Sequence, residues 1–194
     1  MAAEVLVSGS GSFKPPSAQQ LAALPADAGI SRADLASGKW SFSVRYDDTM
    51  PDSSAEPYWG RYVGGIQAFS LVIGKTTINF PVAQAEILVS DGGSGFPNRE
   101  SIRLEATTAI SSGLMHLSWI QINQQPQGID LRGPTGELAS NALPPYAQVA
   151  NLPTTSPFDR YLELRIDSPG DGTRPLLYLS SSTLSVTASS TAAP

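Results

Sequence analysis

From Trp40 to Asp47 the chain alternates without a break. Trp40, Phe42, Val44 and Tyr46 fall on one side, and Ser41, Ser43, Arg45 and Asp47 on the other. Side chains on an extended chain point to opposite faces with a period of two, so this run predicts a strand with one buried and one wet face. Comparable runs predict strands over Glu4–Phe13, Ile66–Ile73, Thr76–Phe80, Ala85–Ser90, Ser101–Ala106, Leu114–Asn123, Tyr161–Asp167, Leu176–Ser180 and Thr183–Ala188. Strands of this number, separated by turn residues, predict an all-β fold: two antiparallel sheets packed as a jelly-roll-like β-sandwich. Gly74-Lys75 falls between two such runs and predicts a tight hairpin, because glycine supplies the positive φ of a two-residue turn.

Helical periodicity is nearly absent. Ser17–Leu24 predicts one short helix near the N-terminus, with Ser17 as its N-cap and Pro25 ending it. From Gln124 to Pro157 proline and glycine are dense and alternation is weak, which predicts a long irregular excursion of the kind that often carries function. The expected organisation is one sandwich domain over residues 1–188 and a small, polar, disordered tail over 189–194.

Composition narrows the partners. A chain of 194 residues buries a core of its own without external staples. Its charged fraction is 15%, against roughly a quarter in ordinary soluble domains, and Ser, Thr, Ala, Gly and Pro fill the deficit. The net charge is -5, and the lysines Lys14, Lys39 and Lys75 lie far apart. No basic patch is available for phosphates, so nucleic acid is not an expected partner. No apolar run approaches the ~18 residues that a membrane-spanning helix requires, so no membrane insertion is expected. The absence of cysteine excludes disulfides, thiolate metal sites and cysteine nucleophiles. A cysteine-free, lysine-poor, acidic and Ser/Thr-rich composition points towards export.

Chemistry-bearing residues concentrate between Asp47 and Tyr62. Asp47, Asp48, Asp52 and Glu56 bring four carboxylates within ten residues, the hard-oxygen set that calcium takes. The competing reading is a solvated acidic loop whose aspartates make local backbone turns. Tyr58, Trp59 and Tyr62 follow as a candidate platform for sugar rings; alternatively they fold back to close the end of the core. Glu86, Glu105 and Glu163 occupy polar positions of predicted strands and are candidates for the carboxylate pair of a glycosidase. They also read as charge pairs of Glu105 with Arg103 and of Glu163 with Arg165 on a wet face. His116 is the only histidine and has no G-x-S-x-G elbow beside it. Phosphate-cradling glycine motifs are absent.

One resemblance rests on Ser41 to Asp47, Thr49, Pro51-Asp52-Ser53, Gly60-Arg61-Tyr62, Gly65-Ile66, Phe69 to Gly74 and Val89-Ser90-Asp91-Gly92. Together these resemble the segment shared by many exported bacterial proteins of the PEP-CTERM type, whose β-rich members are mostly of uncharacterised function. The resemblance implies secretion or display at the surface of a Gram-negative bacterium and association with an exopolysaccharide envelope. It implies no catalytic residues. The sorting tail of that group is absent from these residues, which end in Ser190-Thr191-Ala192-Ala193-Pro194.

The expectation is therefore a non-enzymatic surface or extracellular-matrix protein that contacts polysaccharide or self-associates. Calcium in the Asp47–Glu56 loop is the one cofactor suggested. The alternative is a polysaccharide-active enzyme, with a carboxylate pair in a cleft built by the Gln124–Pro157 excursion.

Overall fold

The computed structural model describes residues 3–93, 95–144, 146–151, 158–169, 171–181 and 184–192. Its strands are β1 (Ala3–Ser12), β2 (Lys39–Asp47), β3 (Trp59–Val63), β4 (Ile66–Ile73), β5 (Thr76–Asn79), β6 (Ala85–Asp91), β7 (Arg99–Ile110), β8 (Gly113–Gln124), β9 (Phe158–Ser168), β10 (Asp171–Ser181) and β11 (Leu184–Ala192). They form a five-stranded sheet in the order β11-β1-β2-β4-β5 and a six-stranded sheet in the order β10-β9-β8-β7-β6-β3. Every pairing is antiparallel. This is the expected all-β sandwich. The chain crosses between sheets at β2–β3, β3–β4, β5–β6 and β10–β11, while β6 to β10 run as an uninterrupted meander.

The core lies between the sheets and is built by the alternation visible in the sequence. Trp40, Phe42, Val44 and Tyr46 of β2 face Leu104, Leu117, Trp119 and Leu164 of the other sheet within one buried cluster. Phe13, Trp40, Phe42 and Trp119 form a chain of ring contacts through it, with centroids 5.8 to 6.3 Å apart. Tilted aromatic pairs at such separations add to the stabilisation that burial alone provides. Serines 8, 10, 41, 43, 70 and 185 line the outer face of the five-stranded sheet, the wet side that β2 alternation requires.

The hairpin at Gly74-Lys75 is present: Ile73 pairs with Thr76, and Gly74 has φ 58°. A second requirement fixes glycine there, since a β-carbon at Gly74 would run into the Asp34 carboxylate. That carboxylate accepts hydrogen bonds from Lys75 N at 2.9 Å, Thr76 Oγ1 at 2.9 Å and Ser31 Oγ at 2.8 Å. It pins the hairpin to the segment between β1 and β2.

Four local expectations change. The predicted helix is α1 (Ala18–Ala23), closed by a capping box between Ser17 and Gln20. A second short helix, α2 (Arg32–Ser37), follows it, with Ser31 as N-cap and Gly38 left-handed at its end. Its six residues are too few for a periodic signal, and only its caps mark it. Trp59–Val63 is strand rather than loop; β3 pairs with β6 from Trp59↔Ser90 to Val63↔Glu86. The excursion contains a six-residue helix, α3 (Tyr146–Asn151). Finally, the expected disordered tail begins too early: Ser189–Ala192 continue β11 in register with β1, from Leu6↔Ser189 to Ala3↔Ala192. Backbone pairing to β1 orders this segment. Residues 193 and 194 lie outside the described residues.

Candidate functional site

In the acidic loop that follows β2 the three aspartates accept hydrogen bonds from protein donors. Asp47 Oδ1 accepts from Thr49 N at 2.8 Å and Thr49 Oγ1 at 2.7 Å, and these bonds hold its carboxyl below the usual range. Asp48 Oδ1 accepts from Ala3 N at 2.8 Å. Asp52 Oδ1 accepts from Ser54 N and Arg61 N at 2.8 and 2.9 Å, and its Oδ2 from Asn141 Nδ2 at 3.2 Å. The Glu56 backbone N–H donates to Ser54 Oγ at 3.1 Å. Among the described residues no three His, Cys, Asp or Glu side chains come together as a set able to hold a metal ion. The Asp47–Thr49 and Asp52–Ser54 bonds are the Asx-type turns that short acidic side chains make.

The aromatic platform divides. Tyr62 is 3% exposed and donates its hydroxyl to Asn141 O at 2.8 Å; burial, with the Asp52 charge behind it, pushes its phenol up to about 12. Tyr62 is therefore a core residue, because alternation in β3 sends Gly60 and Tyr62 inward. Trp59 is half-buried. Tyr58 alone is open, at 40% exposure with φ 71°, and the Arg132 guanidinium lies 5.2 Å above its ring.

A larger polar surface lies on the outer face of the six-stranded sheet, where the three strand glutamates meet in one row. Glu86 pairs with Glu105, Glu105 with Ser118, and Ser118 with Glu163 across β6, β7, β8 and β9. Residues directly opposite on neighbouring strands have β-carbons about 5 Å apart, so Glu86 and Glu105 face each other closely. Arg61 Nε donates to Glu86 at 2.6 Å, and Arg103 Nη1 lies 3.6 Å from Glu105. Burial pushes the Glu105 carboxyl up; Arg103 opposes this and the Glu86 charge adds to it. The two line a pocket of about 200 Å³ with Arg61, Gln84 and Thr107.

The neighbouring row carries His116 and Arg165. His116 Nε2 lies 3.2 Å from Asp167 Oδ2, and Arg165 Nε donates to Asp167 Oδ1 at 2.6 Å. Asp167 is itself 8% exposed, so one nearly buried carboxylate orients both bases. Tyr178 on β10 donates its hydroxyl to Glu163; that bond, more than burial, pushes the phenol up to about 12. His116, Ser118, Glu163, Arg165 and Asp167 line an open depression of about 350 Å³. Arg165 thus holds Asp167, a partner that strand alternation alone did not identify for it.

No known family model, curated protein or solved structure matches this chain.

Asp91, in an Asp-Gly turn that could add a ligand, is joined by Glu100, a partner the local pattern did not reveal. Asp91 and Glu100 end the apolar inward rows Ala85-Ile87-Val89 of β6 and Ala106-Leu104-Ile102 of β7, and they pair with each other. Both are 1% exposed. The signal was the phase: one more step of alternation puts each carboxylate on the buried face. The excursion closes on them, through Gly133 N on Asp91 Oδ2 at 2.9 Å, and Glu137 N and Leu138 N on Glu100 at 3.1 and 2.8 Å. The excursion therefore covers the inner-face acids, and the pocket between Glu86 and Glu105 is walled by β3 and the 3₁₀ turn Val82–Gln84 instead.

Proposed function

We propose that this protein is a non-enzymatic, exported surface or matrix protein that contacts polysaccharide through the outer face of its six-stranded sheet. The observation that carries the reading is the open depression where Asp167 fixes His116 and Arg165 beside Glu163 and the exposed ring of Tyr178. Sugar hydroxyls need donors and acceptors held in advance, because orienting polar side chains only on binding costs affinity. A tyrosine ring offers the apolar face of a sugar an area to lie on. The composition and the resemblance to exported PEP-CTERM-type proteins support the compartment.

The test is binding of the purified protein to a panel of neutral and acidic polysaccharides, followed by titration calorimetry on any hit. Tyr178→Ala and Glu163→Gln should each weaken the interaction about tenfold or more, the loss of one good contact of about 1.4 kcal/mol. Tyr58→Ala should leave it unchanged. Binding that survives both outer-face substitutions, or no binding at millimolar sites, overturns the reading.

One observation favours a catalytic second reading: Glu86 and Glu105 face each other in their own pocket, and burial raises the Glu105 carboxyl. Two carboxylates side by side on neighbouring strands are the arrangement a retaining glycosidase uses, with Glu105 as acid and Glu86, beside Arg61, as nucleophile. If any glycan is cleaved, Glu86→Gln and Glu105→Gln must each abolish turnover while Glu163→Gln leaves it. Activity that persists in both variants removes this reading.

A further inference from the structure

A sandwich interior is ordinarily apolar, yet one end of this one is not. Asp91, Glu100 and Asn123 form an inward row across β6, β7 and β8, and Gln121 and Arg160 begin the next. All five are buried, at 1 to 7% exposure. Segment 131–138 lies over them, with Leu131 and Leu138 buried at its two ends. It is anchored chiefly by donors to the two carboxylates: Gly133 N to Asp91, and Glu137 N and Leu138 N to Glu100. Leu131 N to Pro97 O at 2.8 Å is the further backbone tie at its start.

The anchors are in tension. Asn123 Nδ2 also donates to Glu100 Oε2 at 2.7 Å, but Asp91 Oδ1 is buried with no hydrogen-bond partner among the described residues. Removing a carboxylate from water without full compensation disfavours its charged form. Two such groups directly opposite each other also repel when both are ionised. Gly136 leaves no spare room, since a β-carbon there would meet the Glu100 carboxylate.

We infer that segment 131–138 is a separately opening cover, and that proton occupancy of the Asp91–Glu100 pair sets how firmly it is closed. Burial raises both carboxyls first of all. Gly133 N and Arg132 pull Asp91 back down while Asp130 pushes it up. Leu138 N, Asn123 and Glu137 N pull Glu100 back, and the Asp91 charge raises it further. The other charged or titratable groups packed around the pair are Arg160 of β9, the side chain of Glu137 on the cover and Tyr58 under Arg132. A carboxyl whose pKa is raised by closure binds protons more tightly in the closed state. Closure is therefore strongest below the ordinary carboxylate range and is lost as pH rises through the raised values. Opening uncovers two carboxylates, two amides and a guanidinium on the inner face, a recess for a polar ligand. This inference is independent of the outer-face reading and stands or falls separately.

Hydrogen exchange on the full chain decides it. Protection of the Gly133, Glu137 and Leu138 amides, corrected for the intrinsic pH dependence of exchange, should fall by at least about tenfold between about pH 4 and pH 7, since each released proton contributes up to tenfold per pH unit. Amides in the centre of β7 and β8 should keep theirs. Asp91→Asn retains an oxygen for Gly133 N, is always neutral and should flatten the profile. Glu100→Gln should flatten it too, with weaker protection throughout, because its amide presents only one oxygen to partners that use two. The inference fails if the wild-type profile is flat, if the central amides fall in parallel, or if both variants keep the wild-type slope. Should a variant not fold, the wild-type comparison of cover and central amides decides alone.

Discussion

Tyr62 separates the core from the platform, and its removal has a calculable cost. The side chain is 97% withdrawn from solvent, being 3% exposed, and its hydroxyl donates to Asn141 O at 2.8 Å. Tyr62→Phe keeps the ring in place and deletes one hydrogen bond, a loss of about 1 kcal/mol. Tyr62→Ala also empties a ring-sized volume between β3 and the excursion, for which aromatic-to-alanine changes cost about 3–5 kcal/mol. In a domain of this size each kilocalorie lowers Tm by about 2–4 °C, so the two variants should melt about 2–4 °C and about 6–20 °C below wild type. Tyr58→Ala, just before β3 and exposed, should stay within about 0.5 kcal/mol. Urea titration followed by tryptophan fluorescence gives the differences directly. If Tyr62→Ala unfolds at the wild-type midpoint, Tyr62 is not packed as described, and the account of β3 as an alternating edge strand falls with it.

Gly74→Ala should destabilise by about 1–2 kcal/mol or more, the usual cost of a left-handed backbone without glycine, with the Asp34 clash added; thermal melts measure it. Asp34 and Asp27 titrate with a sign opposite to that of Asp91 and Glu100. Their carboxyls are held low, Asp34 first by Lys75 N and Asp27 first by Ser112 Oγ, so the stability they confer is present above the ordinary aspartate range and lost as pH falls through their lowered values. Asp34→Asn should accordingly shrink the difference in Tm between neutral and acid pH, and an unchanged difference would refute this. Millimolar calcium should leave the melting temperature unmoved, because Asp47, Asp48 and Asp52 are engaged by backbone and side-chain donors; a ligand that bound only the folded chain would raise it.

Where alternation runs unbroken for several residues, as in β2, β4 and the middle of β8, it set which side chains would be buried and hence the two-sheet architecture. Ser17 and Pro25 announced α1 because an N-cap and a proline stop are local chemistry. The short elements were less legible: β3 has five residues beginning in an aromatic cluster, and α2 has a single buried position, Leu35. Neither is long enough for its period to rise above composition.

By itself, the sequence determined the alternating strands, the Gly74 turn and the absence of cysteine chemistry, since each follows from a residue and its immediate neighbours. Register and the way the sheets end against the excursion were decided only in three dimensions. Register aligned Glu86, Glu105 and Glu163 in one outward-facing row and brought Asp167 to His116 and Arg165. The excursion turned Asp91, which reads locally as the start of an Asp-Gly turn, into half of a buried carboxylate pair. Such effects arise from backbone pairing between residues far apart in the chain, and desolvation acts on a carboxylate only once another segment has closed over it.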